Sequence, residues 1–421
     1  MLGRASLIQT ISHATLHQKT IESMSTLPRV TLKPRRARPF FARHPWVFVT
    51  SIENVTGEPT PGTEVEVYSH EGKFVARGIF NPNSAIRVRL YRWDGGPLDD
   101  DFWTTLVATS LRLRKESLKL NAKAGVRLIS SEADGLSGLT VDHYDRWLVA
   151  QFTSLALFER RDLFTGLLRE MTGAQGILVR SERVTAEQEG ISHPFESIVG
   201  TLPIEPIEIV EHGLTYWVDL RAGQKTGFFL DQRDNRLAAS KYCEGKSVLD
   251  LYTYTGGFAL NALKNGRARS VRGVESSAVA VEVARHHAEI NGLDASKIEF
   301  ESGDTLVVLE RLRTEGARFG VVICDPPKFA RSPRGVEDAL KAYLRLNLKS
   351  LDILEPDGIL VTCSCSGLVE RGLFADMLSQ VAELSGRTIQ FLEQRGQAPD
   401  HPVSASCLET DYLKCFICRV G

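Results

Sequence analysis

The sequence predicts an α/β protein: a parallel, doubly wound sheet fills its C-terminal half, preceded by a small β-barrel and a central α+β unit. Three observations carry this expectation. From Val248 onward, short apolar runs alternate with amphipathic stretches, the pattern of strands joined by crossover helices. Between Glu64 and Tyr91, alternating segments are separated by Gly, Pro or Asn, the pattern of short antiparallel strands. Between these regions, hairpin and helix signals are mixed. The 421 residues have room for about two or three domains. The expected division is an extension at 1–27, the barrel at 28–98, the central unit at 99–205 and the large sheet at 206–421.

Composition narrows the class. Net charge is −1, so any nucleic-acid site must be a local patch. No apolar run is long enough to span a membrane. The seven cysteines all lie from Cys243 onward, which disfavours a disulfide framework and points to a reducing, cytoplasmic setting.

The first 26 residues are rich in Ser and Thr and nearly free of acids. They read either as an organellar transit peptide or as the product of an upstream start, with Met24 as the natural beginning. The second reading is favoured, because patterned sequence begins just after Met24. Disorder is expected either way. From Arg29 to Ile52 there is no acid, and basic residues interleave with Phe40, Phe41 and Trp46. Cations attract phosphate and aromatic faces stack on bases. Arg35, Arg36, Arg38 and Arg43 are therefore candidate RNA contacts, joined by outward Arg87 and Arg89 and by Arg77 as a further option on the barrel strands. Trp46 and Phe48 are expected in the barrel core.

The central unit opens with an amphipathic helix from Phe102 to about Leu120. A hairpin over Leu139–Phe152, turning near Tyr144-Asp145, follows. A helix over Leu163–Met171 and a strand over Gly176–Arg180 complete it. No chemistry is evident there, and His143 is read as a turn residue. A second hairpin spans Ile207–Leu220. Strands are then expected at Val248–Leu251, Val271–Glu275, Ile298–Glu301, Val321–Cys324 and Ile359–Thr362. Thr388–Gln394 and Tyr412–Val420 read as a closing antiparallel pair.

Ligands of such sheets bind beyond the carboxyl ends of the strands. Five polar residues fall there: Asp250, Glu275, Asp304, Asp325 and Cys365. Any one acid is explained cheaply as a helix cap; five on one edge are not. The first crossover carries a glycine turn, Tyr254-Thr-Gly-Gly257, and no Walker lysine follows it. An adenosine cofactor without phosphates fits: S-adenosylmethionine. Asp250, Tyr254, Thr255, Gly256, Glu275, Ser276, Gly303, Asp304 and Asp325 are the expected cofactor set. Within it, Glu275 takes the ribose hydroxyls and Asp304 the adenine amine. No metal site is expected: Cys415 and Cys418, three apart on a strand, point to opposite faces.

Two chemistries are open at Asp325-Pro-Pro-Lys-Phe329. Asp-Pro-Pro followed by an aromatic suits methylation of an exocyclic amine, but Lys328 holds the aromatic position. Cys365 suits methylation of pyrimidine carbon, where a thiolate adds to C6 and activates C5. Asp325 would then hold the N3/N4 edge of the base, and Lys328 would favour the thiolate. A small buried role for Cys365 stands level with this one. Asp400-His401-Pro402 is read as a structured turn.

Several segments together resemble the bacterial large-subunit ribosomal RNA methyltransferase I family. They are Lys225-Thr-Gly-Phe-Phe-Leu-Asp-Gln-Arg-Asp234, Tyr254-Thr-Gly-Gly-Phe258, Asp325-Pro-Pro-Lys-Phe329, Ser364-Cys-Ser-Gly367, Asp400-His-Pro402 and Tyr412-Leu-Lys414. Arg43-His-Pro-Trp-Val-Phe48 is similar to the start of that family's PUA domain. The resemblance runs from about Pro28 to the C-terminus. It implies a PUA RNA-binding domain, a central domain and a Rossmann-like class I methyltransferase domain that methylates C5 of a cytosine in 23S ribosomal RNA. It implies Cys365 as nucleophile, Asp325 as the strand-four acid and Arg233 as a further RNA contact. The partner would be 23S RNA or a large-subunit precursor; the oligomeric state stays open, a homodimer included. Many RNA cytosine-C5 methyltransferases carry a second cysteine where Lys328 stands, so the base for the elimination step is unassigned. A related guanine-N7 family lacks the Ser-Cys-Ser segment. Base N-methylation, and a non-catalytic RNA-binding assembly factor, are the alternative readings.

Overall fold

The computed structural model describes residues 27–192, 196–223, 226–330 and 332–421. The N-terminal extension, up to residue 26, and Lys225 of the motif above lie outside them. Seven strands form the large sheet: β1 (Ser247–Leu251), β2 (Ser270–Glu275), β3 (Ile298–Ser302), β4 (Phe319–Cys324), β5 (Leu354–Ser364), β6 (Ile389–Arg395) and β7 (Lys414–Val420). Their order is β3-β2-β1-β4-β5-β7-β6. The first five are parallel, and β7 runs antiparallel to both β5 and β6.

Alternation along the strands sorts the two faces. Val248, Val271, Val321 and Ile359 pack under α1 (Gly257–Lys264) and α2 (Ala278–Ile290). Their neighbours Leu249, Val322 and Leu360 face the other way, under α3 (Thr305–Thr314), α4 (Val336–Leu351) and α5 (Arg371–Ser385). A strand buried on both faces must be apolar throughout, which is why these runs are legible. Cys415 and Cys418 fall into opposite core layers, as the strand spacing requires.

The N-terminal sheet has six strands, in the order Trp46–Phe48, Ile86–Arg92, Phe74–Phe80, Glu64–Tyr68, Arg29–Leu32, Ile52–Thr56. It folds around Val30, Leu32, Val65, Val67, Val88 and Leu90. Two expectations fail here. Phe48 is 40% exposed, and Trp46 is half-buried, its indole N–H donating to Glu132 Oε1 at 3.1 Å and Ser137 Oγ at 3.3 Å. Both lie at the rim, facing the central unit or solvent rather than the core.

The central sheet has five strands, with Gly176–Arg180 parallel to Trp147–Phe152 and the rest antiparallel. The hairpin turns at Asp145, whose φ is 51°. The preceding helix is shorter than expected: Asp100–Arg112, then a π-helical turn over Leu113–Ser117. That turn aims Arg114 inward, where it meets Asp134 at 2.6 and 2.8 Å and the Asp400 carbonyl at 2.7 Å.

Buried polar side chains stitch the sheets together, and two predicted RNA contacts belong to this seam. Arg89 is buried, donating to Glu189 at 3.2 Å and Ser137 at 3.0 Å. Arg233 is buried, donating to Asp400 at 3.1 Å and the Gly125 carbonyl at 2.7 Å. Neither reaches a surface. Arg87 is half-buried, its guanidinium on the carbonyls of Asn81 and Pro82. Arg77 pairs with Glu64 and Glu66.

Candidate active site

A cavity opens at the carboxyl ends of β1, β2, β4 and β5. The segment before β1, the loop after it, and the ends of β2, β4 and β5 supply its walls. Phe229, Gln232, Tyr254, Thr255, Glu275 and Ser276 line one part; Asp325, Pro326, Pro327, Cys365 and Leu413 line the other.

The loop after β1 is tightly specified. Gly256 has φ 86°, and a Cβ there would sit 2.4 Å from Leu260 Cδ1, so only glycine makes the turn. Tyr252 and Tyr254 also adopt positive φ, 61° and 50°, a strained state that clusters at ligand-binding turns. Asp250 holds the loop from beneath. Its Oδ2 accepts the Thr253 hydroxyl and the Ala259 N–H. It is fully buried and does not line the cavity, so it is scaffold where direct cofactor contact was expected. Burial pushes its carboxyl up to about 7, the bonds from Thr253 and Ala259 oppose this, and the charges of Asp325 and Glu275 add to it.

His287 supports the same loop from the far side. Its Nδ1–H donates to the Thr255 carbonyl at 2.9 Å and its Nε2 accepts the Trp217 N–H at 2.8 Å. Burial lowers it to about 4, so the ring is neutral. A histidine on an apolar helix face gave no signal of this in the sequence.

Glu275 stands at the end of β2 with its carboxylate in the cavity. It accepts from Tyr254 N–H at 3.1 Å, Ser277 N–H at 3.0 Å and the Ser276 hydroxyl at 3.0 Å. The third strand end departs from expectation. Gly303 N–H donates to the Glu275 carbonyl at 2.9 Å, but Asp304 Oδ1 caps α3 through Leu306 and Val307 N–H. Neither Gly303 nor Asp304 lines the cavity; the helix cap accounts for the acid.

Cys365 follows β5. It is half-buried, while the other six cysteines are buried. Its Sγ lies 4.0 Å from the Pro326 carbonyl, so cysteine and Asp-Pro-Pro share one wall. Ser366 fixes the turn, its Oγ 3.3 Å from both Ala330 N and the Tyr343 hydroxyl. Lys328 is exposed and off the cavity lining. The lysine that does approach is Lys414, wholly buried on β7. The sequence showed it in the Tyr412-Leu-Lys414 segment, with no role attached.

The residues fit an adenosine cofactor. Thr255 Oγ1 and Gln232 Nε2 are buried on the cavity wall without a hydrogen-bond partner among the described residues, and buried polar atoms call for one. Glu275 brings a carboxylate to the same cavity. One other cluster has ligand-like spacing: His44, Cys407 and Glu409, within 4.8 Å of one another. Trp46 N–H donates to His44 Nδ1, which puts the neutral ring's proton on Nε2, toward Glu409. The group is a hydrogen-bonded contact between the first sheet and the loop before β7.

Residues 187–413 match the family described as S-adenosylmethionine-dependent methyltransferase, and residues 30–93 match the PUA-like domain. The chain is 41% identical over 386 residues to the ribosomal RNA large subunit methyltransferase I of Aeromonas hydrophila subsp. hydrophila, covering 91% of this chain and 97% of the relative.

The chain belongs to the ribosomal RNA large subunit methyltransferase I family.

The enzyme of that name from Klebsiella pneumoniae subsp. pneumoniae is 37% identical over 397 residues, covering 94% of this chain and 99% of its own. Among solved structures, a methyltransferase complexed with SAH aligns with TM-score 0.81 at 20% identity, over 93% of this chain and 99% of that one. An S-adenosylmethionine-dependent methyltransferase from Streptococcus mutans aligns with TM-score 0.81 at 19% identity over the same shares. These two likenesses speak to the fold. S-adenosylmethionine is the family's cofactor, and the cavity at the sheet edge is where this chain has the groups to hold it. No helix among the described residues is long and apolar enough to cross a membrane.

Proposed function

We propose that this methyltransferase modifies C5 of a cytosine in 23S ribosomal RNA, with Cys365 as covalent nucleophile. One observation carries the reading. Cys365, unlike its six buried counterparts, shares one cavity wall with Asp325-Pro-Pro and one cavity with Glu275. S-adenosylmethionine supplies a methyl group on cationic sulfur. Glu275, with Thr255 and Gln232, holds the nucleoside part of that cofactor. Asp325 accepts from the cytosine amine and orients the ring. The Cys365 thiolate adds to C6, forming a C–S bond and leaving the electron pair at C5. After C5 is methylated, its proton leaves to a base, the C–S bond breaks and the thiolate returns.

RNA is held by the PUA-like domain in this reading. Arg35, Arg36, Arg38 and Arg43 are all exposed, beside exposed Phe41 and Phe48. Arg35 and Arg43 have φ of 64° and 68°, so the loops carrying them are shaped turns.

The test is incubation with protein-free 23S RNA and methyl-labelled cofactor, followed by nucleoside analysis. Label is expected in 5-methylcytidine and absent with Cys365→Ala, which should still bind S-adenosylmethionine. Label in an exocyclic amine, surviving Cys365→Ala, would move the chemistry to Asp325-Pro-Pro.

A further inference from the structure

Lys414 is a lysine where the fold has no evident need for one. It opens β7, in register with Ser364 of β5, and its side chain is fully buried. Its Nζ donates to the Ser366 carbonyl at 2.7 Å and the Tyr412 carbonyl at 2.9 Å. Two neutral carbonyls compensate a buried ammonium poorly, and such a site costs stability unless a negative charge stands near. One of the carbonyls belongs to the residue directly after Cys365.

The charges around Lys414 are few. Asp411 and Cys365 favour its ammonium; Arg371 and Lys328 disfavour it, and burial, the largest influence, lowers it to about 8. Asp411 is engaged by Arg371, 3.2 Å away. The thiolate of Cys365 is therefore the negative charge whose presence depends on the catalytic state.

We propose that Lys414 is a positioning residue: it clamps the Ser364-Cys365-Ser366 turn through the Ser366 carbonyl and, in its ammonium form, brings a positive charge to that turn, favouring the Cys365 thiolate. This rests on the reading of Cys365 as nucleophile. An ammonium in a dry site acts on a neighbouring thiol far more strongly than an exposed one would. Lys328 is exposed, so solvent screens its charge and its influence is weaker. The thiol proton leaves to water through the open side of the half-buried cysteine, and Lys414 keeps its own.

Alkylation tests the proposal without needing turnover. The full-length protein is treated with iodoacetamide between pH 5 and 10, and modification of the Cys365 peptide is followed by mass spectrometry. In Lys414→Met the midpoint of the rate–pH profile should rise by about one unit or more, slowing alkylation at pH 7 about tenfold. Lys414→Arg should restore much of the wild-type profile. Lys414→Gln, which keeps a donor for the Ser366 carbonyl but removes the charge, should raise the midpoint likewise and serves if Lys414→Met fails to fold. An unchanged midpoint in Lys414→Met, or in Lys414→Gln if that variant must stand in, overturns the proposal. If Cys365→Ala still methylates cytosine C5, the nucleophile reading fails, yet the alkylation profiles still report whether Lys414 acts on the sulfur.

Discussion

Asp250 and Asp400 are both fully buried, and their surroundings drive their protonation in opposite directions. Asp400 lies in the seam between the sheets. Burial would raise its carboxyl, but His401, the Arg233 guanidinium and the Arg127 N–H together hold it well below the usual carboxylate range. Asp250 lies beneath the cofactor loop. It has one hydroxyl and one N–H as partners, with Asp325 and Glu275 as like charges nearby. The seam neutralises its acids with cations of the chain itself. Beneath the loop after β1, Asp250 is met by a hydroxyl and an N–H rather than by a cation.

The largest effect should come from breaking the seam. Asp400→Ala removes the nearer of the two carboxylates that face buried Arg233, leaving Glu211 at 3.9 Å, and breaking a buried ion pair costs up to about 3–5 kcal/mol. Chemical denaturation should show it, with the apo cavity residues unchanged. In the wild type, Asp400 contributes stability that is present above about pH 4, the range of an unfolded aspartate, and lost as pH falls. The sign follows from a depressed folded-state value, since the unfolded chain then binds more protons.

Asp250 predicts the reverse, and so sharpens the contrast. Its folded value near 7 exceeds the unfolded one, so its contribution is fully present below about pH 4 and lost as pH rises through 7. Denaturation across that window should lose an alkaline slope in Asp250→Asn. Because a cation favours the ionised carboxylate, binding of S-adenosylmethionine by calorimetry should tighten up to about tenfold between pH 6 and 8 in the wild type. If Asp250→Asn keeps that dependence, Asp250 is not the group involved.

The smallest effect concerns the arginines. Replacing Arg35, Arg36 and Arg38 with Ala should flatten the salt dependence of RNA binding, by roughly 0.7–0.9 in the log–log slope for each phosphate that is no longer neutralised. Arg89→Ala should lower thermal stability and leave that slope alone. A slope that moves with Arg89 would erase the distinction between seam and surface cations.

Much of this organisation could be read from residue order. The β1 run Val248-Leu249 is apolar on both faces because helices cover both, and Glu275, Asp325 and Cys365 declare themselves by ending strands. What stayed hidden depends on partners remote in sequence. Arg89 looks like an outward strand residue until Glu189, 100 positions away, meets it. Asp304 reads like Glu275, yet it caps its own helix and stands off the cavity lining. Lys414 looks like the polar start of a strand, because nothing local reveals that Ser366 closes over it. The edge strands Val126–Ser130 and Glu196–Gly200 lack a clean alternation, so nothing local marks them as strands.

The clasp between Arg114 and the Asp400 carbonyl joins positions 286 apart. During synthesis the chain emerges N-terminus first. The central sheet is complete by Gly200, but the acceptor for Arg114 has not yet been made. The Arg233 guanidinium and the Arg127 N–H await the same residue. A nascent chain thus carries two guanidinium groups, those of Arg114 and Arg233, whose shared partner is still inside the ribosome that built it. Products truncated before Asp400 would lack the residue that closes that seam.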